Sequence, residues 1–115
     1  MKAVTERELL DRLEWLERLA GRKMEGEPVV VFLHTPFCGT CAAARKMLHI
    51  VEHILPDVEI LEADVNFLPA VVNRYQIRSV PALMTAGSTP NKEPEVLYRM
   101  GSVEDILNFV RRVKP

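Results

Sequence analysis

"VVVFLHTPFCGTCAAARKML", from Val29 to Leu48, carries both cysteines of the chain, with only Gly39 and Thr40 between them. Its opening run, VVVFLH, is apolar and rich in β-branched residues. Such a run, without polar alternation, predicts a strand covered on both faces. From Cys38 the composition turns to alanine and long unbranched residues, which predicts a helix to about Ile54, stopped by Pro56. The C-x-x-C pair thus falls where a strand gives way to a helix.

That placement has a chemical consequence. Cys38 is expected in the first helical turn, where unpaired N–H groups and the helix dipole stabilise a thiolate. Cys41 lies one turn further in, close enough to bond to Cys38 but more covered. The pair suits thiol–disulfide exchange: Cys38 attacks a substrate disulfide, forming a mixed disulfide, and Cys41 resolves it. Gly39 is expected to let the backbone turn tightly beside the sulfur.

Working outward, Thr5 followed by Glu8 reads as a capping box opening a helix. Leu9, Leu10, Leu13, Leu16 and Ala20 recur at helical spacing, and Gly21 offers an end. Beyond the C-x-x-C helix, VEILEADV reads as a strand and LPAVVNRYQ as a short helix with Pro69 in its first turn. VPALMTAG and EVLYRMG read as strands joined by the turn-rich STPNKEP, Ser88 to Pro94. SVEDILNFVRRV is an amphipathic helix with Ser102 as its cap. The expected order is helix, strand, helix, strand, helix, strand, strand, helix. A parallel βαβ unit followed by an antiparallel hairpin gives an α/β fold, a mixed four-stranded sheet flanked by helices on both faces.

Bulk properties narrow the function. The 115 residues fit one domain, 1–115, with 48% hydrophobic and 27% charged residues and a net charge of −1. Near-neutrality argues against a nucleic-acid or membrane-surface role, since both need a basic excess. The charged, periodic start is unlike a secretion signal, and VVVFL is too short to span a bilayer. A cytoplasmic location is expected, where two thiols are a reactive or metal-binding pair rather than a structural staple.

Pro81 opens an otherwise strand-like run, where proline forfeits a ladder hydrogen bond. Local sequence leaves the Val80–Pro81 bond open between a trans proline starting a strand and a cis one. The cis form exposes the Val80 backbone for pairing with an extended substrate.

FCGTC, YQIRSVPAL and GSVEDILNFV, in this order and separation, resemble the thioredoxin family over nearly the whole chain. The resemblance implies the thioredoxin fold and thiol–disulfide exchange. It carries the nucleophile onto Cys38, the resolving thiol onto Cys41 and the cis-proline onto Pro81. It also implies that Phe37, Val80 and Gly101 form an apolar surface where a substrate chain docks.

Some positions depart from the family pattern. Phe37 and Thr40 stand where thioredoxins typically carry tryptophan and proline. Phe37 keeps a hydrophobic shoulder, and the Thr40 hydroxyl, near the thiolate, is placed to alter its redox poise. The family's buried aspartate and its lysine partner are replaced by Phe32 and Glu62. Glu62 is then either a partly buried acid–base near Cys41 or a carboxylate solvated at the strand's edge. Without either, water must take the resolving thiol's proton.

The remaining candidates have plainer readings. His34 ends the strand four residues before Cys38 and is expected half-covered, although an imidazolium there would stabilise the thiolate. His49 and His53 share a helix face, but His49 is roughly 12 Å along the helix from Cys41, so no metal site is expected. Arg45 and Lys46 read as a solvated face that adds positive potential near the pair. Trp15 reads with its leucines as core or half-buried face, and Met47, Met84 and Met100 as core filler.

The sequence therefore points to a protein-disulfide reductase, without organic cofactor or metal. Its partners are disulfide-containing proteins and a regenerating reductase or low-molecular-weight thiol, and a monomer with no nucleic-acid or membrane partner is expected. The alternative is a non-enzymatic adaptor or redox-sensing module on the same fold, which the missing aspartate–lysine pair keeps open.

Overall fold

The computed structural model describes residues 1–90 and 92–114. Its elements are β1 (Lys2–Ala3), α1 (Glu6–Gly21), β2 (Val29–His34), α2 (Gly39–Ile54), β3 (Leu61–Asp64), a 3₁₀ turn (Val65–Phe67), α3 (Pro69–Arg74), β4 (Ala82–Ala86), β5 (Glu95–Leu97) and α4 (Val103–Val110). They form one mixed sheet of order β1-β3-β2-β4-β5. β2 runs parallel to β3 and antiparallel to β4, and β5 closes the hairpin antiparallel to β4. The expected connection of that hairpin, Ser88 to Pro94, contains Asn91, which lies outside the described residues, as does Pro115.

The sheet has five strands rather than the expected four. The addition is β1, paired parallel to β3 with Ala3 beside Glu62. Lys2 N–H donates to the Ile60 carbonyl at 3.0 Å, and Val4 N–H to that of Glu62 at 3.1 Å. Both β1 side chains are exposed, so no side-chain pattern within the strand betrays it. Main-chain groups make the pairing, while the flanking Met1 and Val4 pack against the cores and the N-terminal ammonium meets Glu52 at 3.0 Å.

β2 is the common wall of two cores. Val29 to Leu33 are all buried, and successive side chains point to opposite faces. Val29, Val31 and Leu33 join Leu61, Ala63, Ala82 and Met84 under α1 and α3, which contribute Leu9, Leu13, Leu16 and Val71. Val30 and Phe32 join Ile60 and Leu83 under α2 and α4, which contribute Cys41, Leu48, Ile106 and Phe109. Each fully buried Leu or Phe contributes about 1.5–3 kcal/mol of hydrophobic stabilisation.

On α1 the buried stripe is Leu9, Leu13, Leu16 and Leu19, with Leu10 and Ala20 half-buried. Trp15 is not core: it is 54% exposed, with the Arg18 guanidinium 5.4 Å from its ring. The Thr5–Glu8 capping box is formed, and hydrogen bonds from the Thr5 backbone and side chain hold the Glu8 carboxyl below its ordinary value. α3 has no local side-chain cap. Glu6 supplies one from across the fold, its Oε2 accepting from Ala70 and Val71 N–H at 2.9 and 3.0 Å. Met84 is buried in the core under α1 and α3 and Met100 in the core under α2 and α4, against which Met47 is half-buried.

Candidate active site

The C-terminal end of β2 and the start of β4 lie together, because Leu33 pairs with Ala82. Three connections therefore meet at one end of the sheet: Thr35 to Cys38 after β2, Val80–Pro81 before β4, and Tyr98 to Gly101 after β5. Cys38 and Cys41 are joined there as a disulfide, their Cα atoms 5.1 Å apart.

Cys38 is not in the first helical turn but one position before it, as the N-cap of α2. Its backbone is extended, and its sulfur takes the place of the usual capping oxygen, accepting from the Cys41 N–H at 3.2 Å. The sulfur thus faces the electropositive tip of a sixteen-residue helix. The Thr40 Oγ1 is 3.4 Å from the same sulfur. Cys38 is partly exposed, whereas Cys41 is 4% exposed and packed in the α2–α4 core. A pair so arranged can open to a dithiol and close to a disulfide, with one sulfur facing solvent and the other withdrawn.

The tight turn before the pair is made by Phe37 rather than Gly39. Phe37 has φ 60°, the left-handed region, while among the described residues no glycine has positive φ. A side chain at Gly39 would meet nothing within 4 Å. The Phe37 ring is fully exposed, at 108% relative accessibility. A phenylalanine in a conformation that favours glycine, with its ring in water, has no stabilising reason to be there. Phe37→Gly is accordingly expected to leave stability unchanged or raise it by up to about 1 kcal/mol while increasing KM for a protein disulfide. Thermal unfolding and steady-state kinetics on one sample check both signs.

The Val80–Pro81 bond is cis. Val80 is half-buried between the two cores, and Gly101 is exposed at the turn into α4. Sequence reasoning passed over Phe67, which ends the 3₁₀ turn after β3 and is 76% exposed. β3 lies beside β2 and parallel to it, so this second exposed phenylalanine stands at the same end of the sheet as Phe37. A large apolar residue in the polar context of Asp64 and Asn66 was the available signal.

Glu62 pairs in register with Phe32, on an inner strand now flanked by β1, and its side chain is 20% exposed. It is not solvated at an edge. Its Oε1 accepts from Arg45 Nη1 at 2.9 Å and lies 3.4 Å from His34 Nε2. His34 is half-covered, as expected. The other two histidines are not brought to the pair: His49 Nδ1 is 3.0 Å from Glu52, and His53 Nδ1 is 2.9 Å from the His49 carbonyl. Among the described residues no three His, Cys, Asp or Glu side chains converge as a metal-ligand set.

Comparison with known proteins agrees with this geometry. The Thioredoxin family model matches residues 10–111. The chain is 44% identical over 61 residues to the thioredoxin-like protein YusE of Bacillus subtilis, a stretch covering 53% of this chain and 58% of that relative. It is 26% identical over 99 residues to the thioredoxin-like protein slr0233 of Synechocystis, covering 85% of this chain and 87% of the relative. In three dimensions it superposes on the thioredoxin of Fasciola hepatica with a TM-score of 0.72 at 17% identity, covering 98% of this chain and 99% of the other, a likeness of fold. Sheet order, cis-proline and paired sulfurs thus converge with the family match: the chain belongs to the thioredoxin family, and Cys38–Cys41 equips it as a thiol–disulfide oxidoreductase.

Proposed function

We propose that the protein reduces disulfides in other proteins. The observation that carries this reading is the asymmetry of the pair: the accessible Cys38 sulfur caps a helix N-terminus while Cys41 is buried behind it. In the dithiol form, the Cys38 thiolate attacks one sulfur of a substrate disulfide. A mixed disulfide forms, and the substrate's other sulfur leaves as a thiolate. Cys41 then loses its proton and attacks the Cys38 sulfur, expelling the second substrate thiolate. Two electrons have passed to the substrate, and the Cys38–Cys41 disulfide remains for a reductase or low-molecular-weight thiol to reopen. The Cys41 proton passes to water or to Glu62, the half-buried carboxylate on the same sheet face.

In this reading the substrate docks as an extended segment along the Val80 backbone at Pro81, with Phe37, Gly101 and Phe67 providing its apolar surroundings. Gly39 and Thr40 support the pair without taking part in bond exchange. No organic cofactor or metal is required, because the reacting atoms are the protein's own sulfurs. A reducing compartment such as the cytoplasm suits this direction of exchange. Among the described residues no helix is long and apolar enough to cross a membrane.

Cys41→Ser tests the division of labour. The variant is expected to form a mixed disulfide with a protein substrate through Cys38, to accumulate it for lack of a resolving thiol, and to release it with dithiothreitol. Non-reducing electrophoresis followed by mass spectrometry identifies the attached sulfur. Failure to trap, with Cys38 titratable, removes Cys38 as the nucleophile.

A further inference from the structure

Beneath the pair lies a cluster of charge in which Arg45 and His34 take no part in the exchange steps above and Glu62 figures only as one alternative proton acceptor. Phe32 is fully buried in the same core as Cys41, with Cys38 packed against that core. Its ring is bordered by the Arg45 guanidinium, 5.4 Å from the centroid, and by the His34 ring at 5.3 Å. Glu62, its register partner, ties the two together: one oxygen, Oε1, meets Arg45 at 2.9 Å and His34 at 3.4 Å. The side chains of Arg45, Glu62 and His34 are 35%, 20% and 17% exposed, so solvent screens them only in part. Arg45 stands four residues beyond Cys41 on α2, one turn down the helix. β1 brings Ala3 alongside Glu62, and the side chains that meet its carboxylate are those of Arg45 and His34.

We propose that Glu62 sets the redox poise of the Cys38–Cys41 pair by neutralising Arg45. It is a positioning residue: it touches neither sulfur, and it acts through the guanidinium it holds over Phe32. With the carboxylate present, Arg45 and Glu62 contribute almost no net charge beneath the pair. Without it, one positive charge stands uncompensated there and His34 loses its acidic neighbour. A positive potential favours thiolate over thiol, and therefore favours the dithiol form over the disulfide. Glu62 thus holds the protein on the reducing side, opposing the helix tip that activates Cys38. This rests on the reading of Cys38–Cys41 as an exchange pair, and it assigns Glu62 a role distinct from receiving the Cys41 proton.

The test is a charge cycle on the full chain: Glu62→Gln, Arg45→Gln and the double variant, each checked for a native thermal transition. Two quantities are read. One is the pH at which the Cys38 thiolate forms, from absorbance at 240 nm, which needs no substrate. The other is the equilibrium in which the protein disulfide and two glutathione molecules give the protein dithiol and glutathione disulfide. Glu62→Gln is expected to lower the titration pH and shift the equilibrium about three- to tenfold toward dithiol. Arg45→Gln, leaving Glu62 uncompensated, should shift both the opposite way, and the double variant should return near the wild type. Opposite signs that cancel are not produced by loosened packing. Shifts of the same sign in both single variants, or no shift in Glu62→Gln, overturn the proposal. So does a Glu62→Gln protein with unchanged equilibrium and slowed resolution, which would make Glu62 a proton acceptor. Loss of reductase activity in the wild type itself would instead fail the functional reading, and the thiolate titration would still decide the role of Glu62.

Discussion

Cys38→Ser is expected to abolish reduction of a model protein disulfide, lowering the rate above the dithiothreitol background by roughly a thousandfold or more. The size of the loss follows from the step. A hydroxyl cannot form the mixed disulfide through which both electrons pass, and at neutral pH it is far less ionised than a thiol at a helix tip. Cys41, at 4% exposure, is too covered to take over the attack. The contrast with Cys41→Ser, which should lose turnover but keep the first attack, separates the two sulfurs. Equally slow rates for wild type and Cys38→Ser would show a docking module on this fold rather than a reductase.

Phe32→Ala carries the largest expected cost in stability. The ring is fully buried between α2 and the sheet, on the strand that both cores share. Truncating such a residue removes its transfer free energy and leaves a cavity, together about 3–5 kcal/mol. For a domain of this size that lowers Tm by roughly 10–25 °C. The ring also carries Arg45 on its face and borders His34. The variant should therefore soften the floor of the active site as well as the core. Chemical denaturation gives the free energy, and an intact Cys38 titration in the folded population would show that the helix tip acts independently of this floor. A cost below about 1 kcal/mol would mean that the site collapses around the gap.

The sequence made the sheet readable wherever side chains carry the signal. VVVFLH declared a strand covered twice because both of its faces are apolar, and the C-x-x-C followed from its position at the end of that strand. The capping boundaries of α1 and α4 were legible because Thr5 and Ser102 bond to amides only three residues on. What escaped was held by the main chain or by distant partners. β1 consists of two exposed residues, and the α3 cap comes from Glu6, more than sixty residues away. The Glu62 position was visible, but its engagement was not, because Arg45 and His34 reach it from two other elements. Phe37 was read as a shoulder, and its left-handed backbone had no sequence marker, since glycine is the residue that announces that conformation.

The two margins of the sheet are its shortest members, two residues in β1 and three in β5. By lying along β3, β1 occupies a border that would otherwise leave outward-facing main-chain groups such as the Ile60 and Glu62 carbonyls unpaired. Little ladder is left on either side for a second chain to zip onto, which guards against fibrous growth. A protein whose proposed work is to hold other chains in extended form beside its sulfurs thereby confines strand-like pairing to one short stretch of backbone, at Val80.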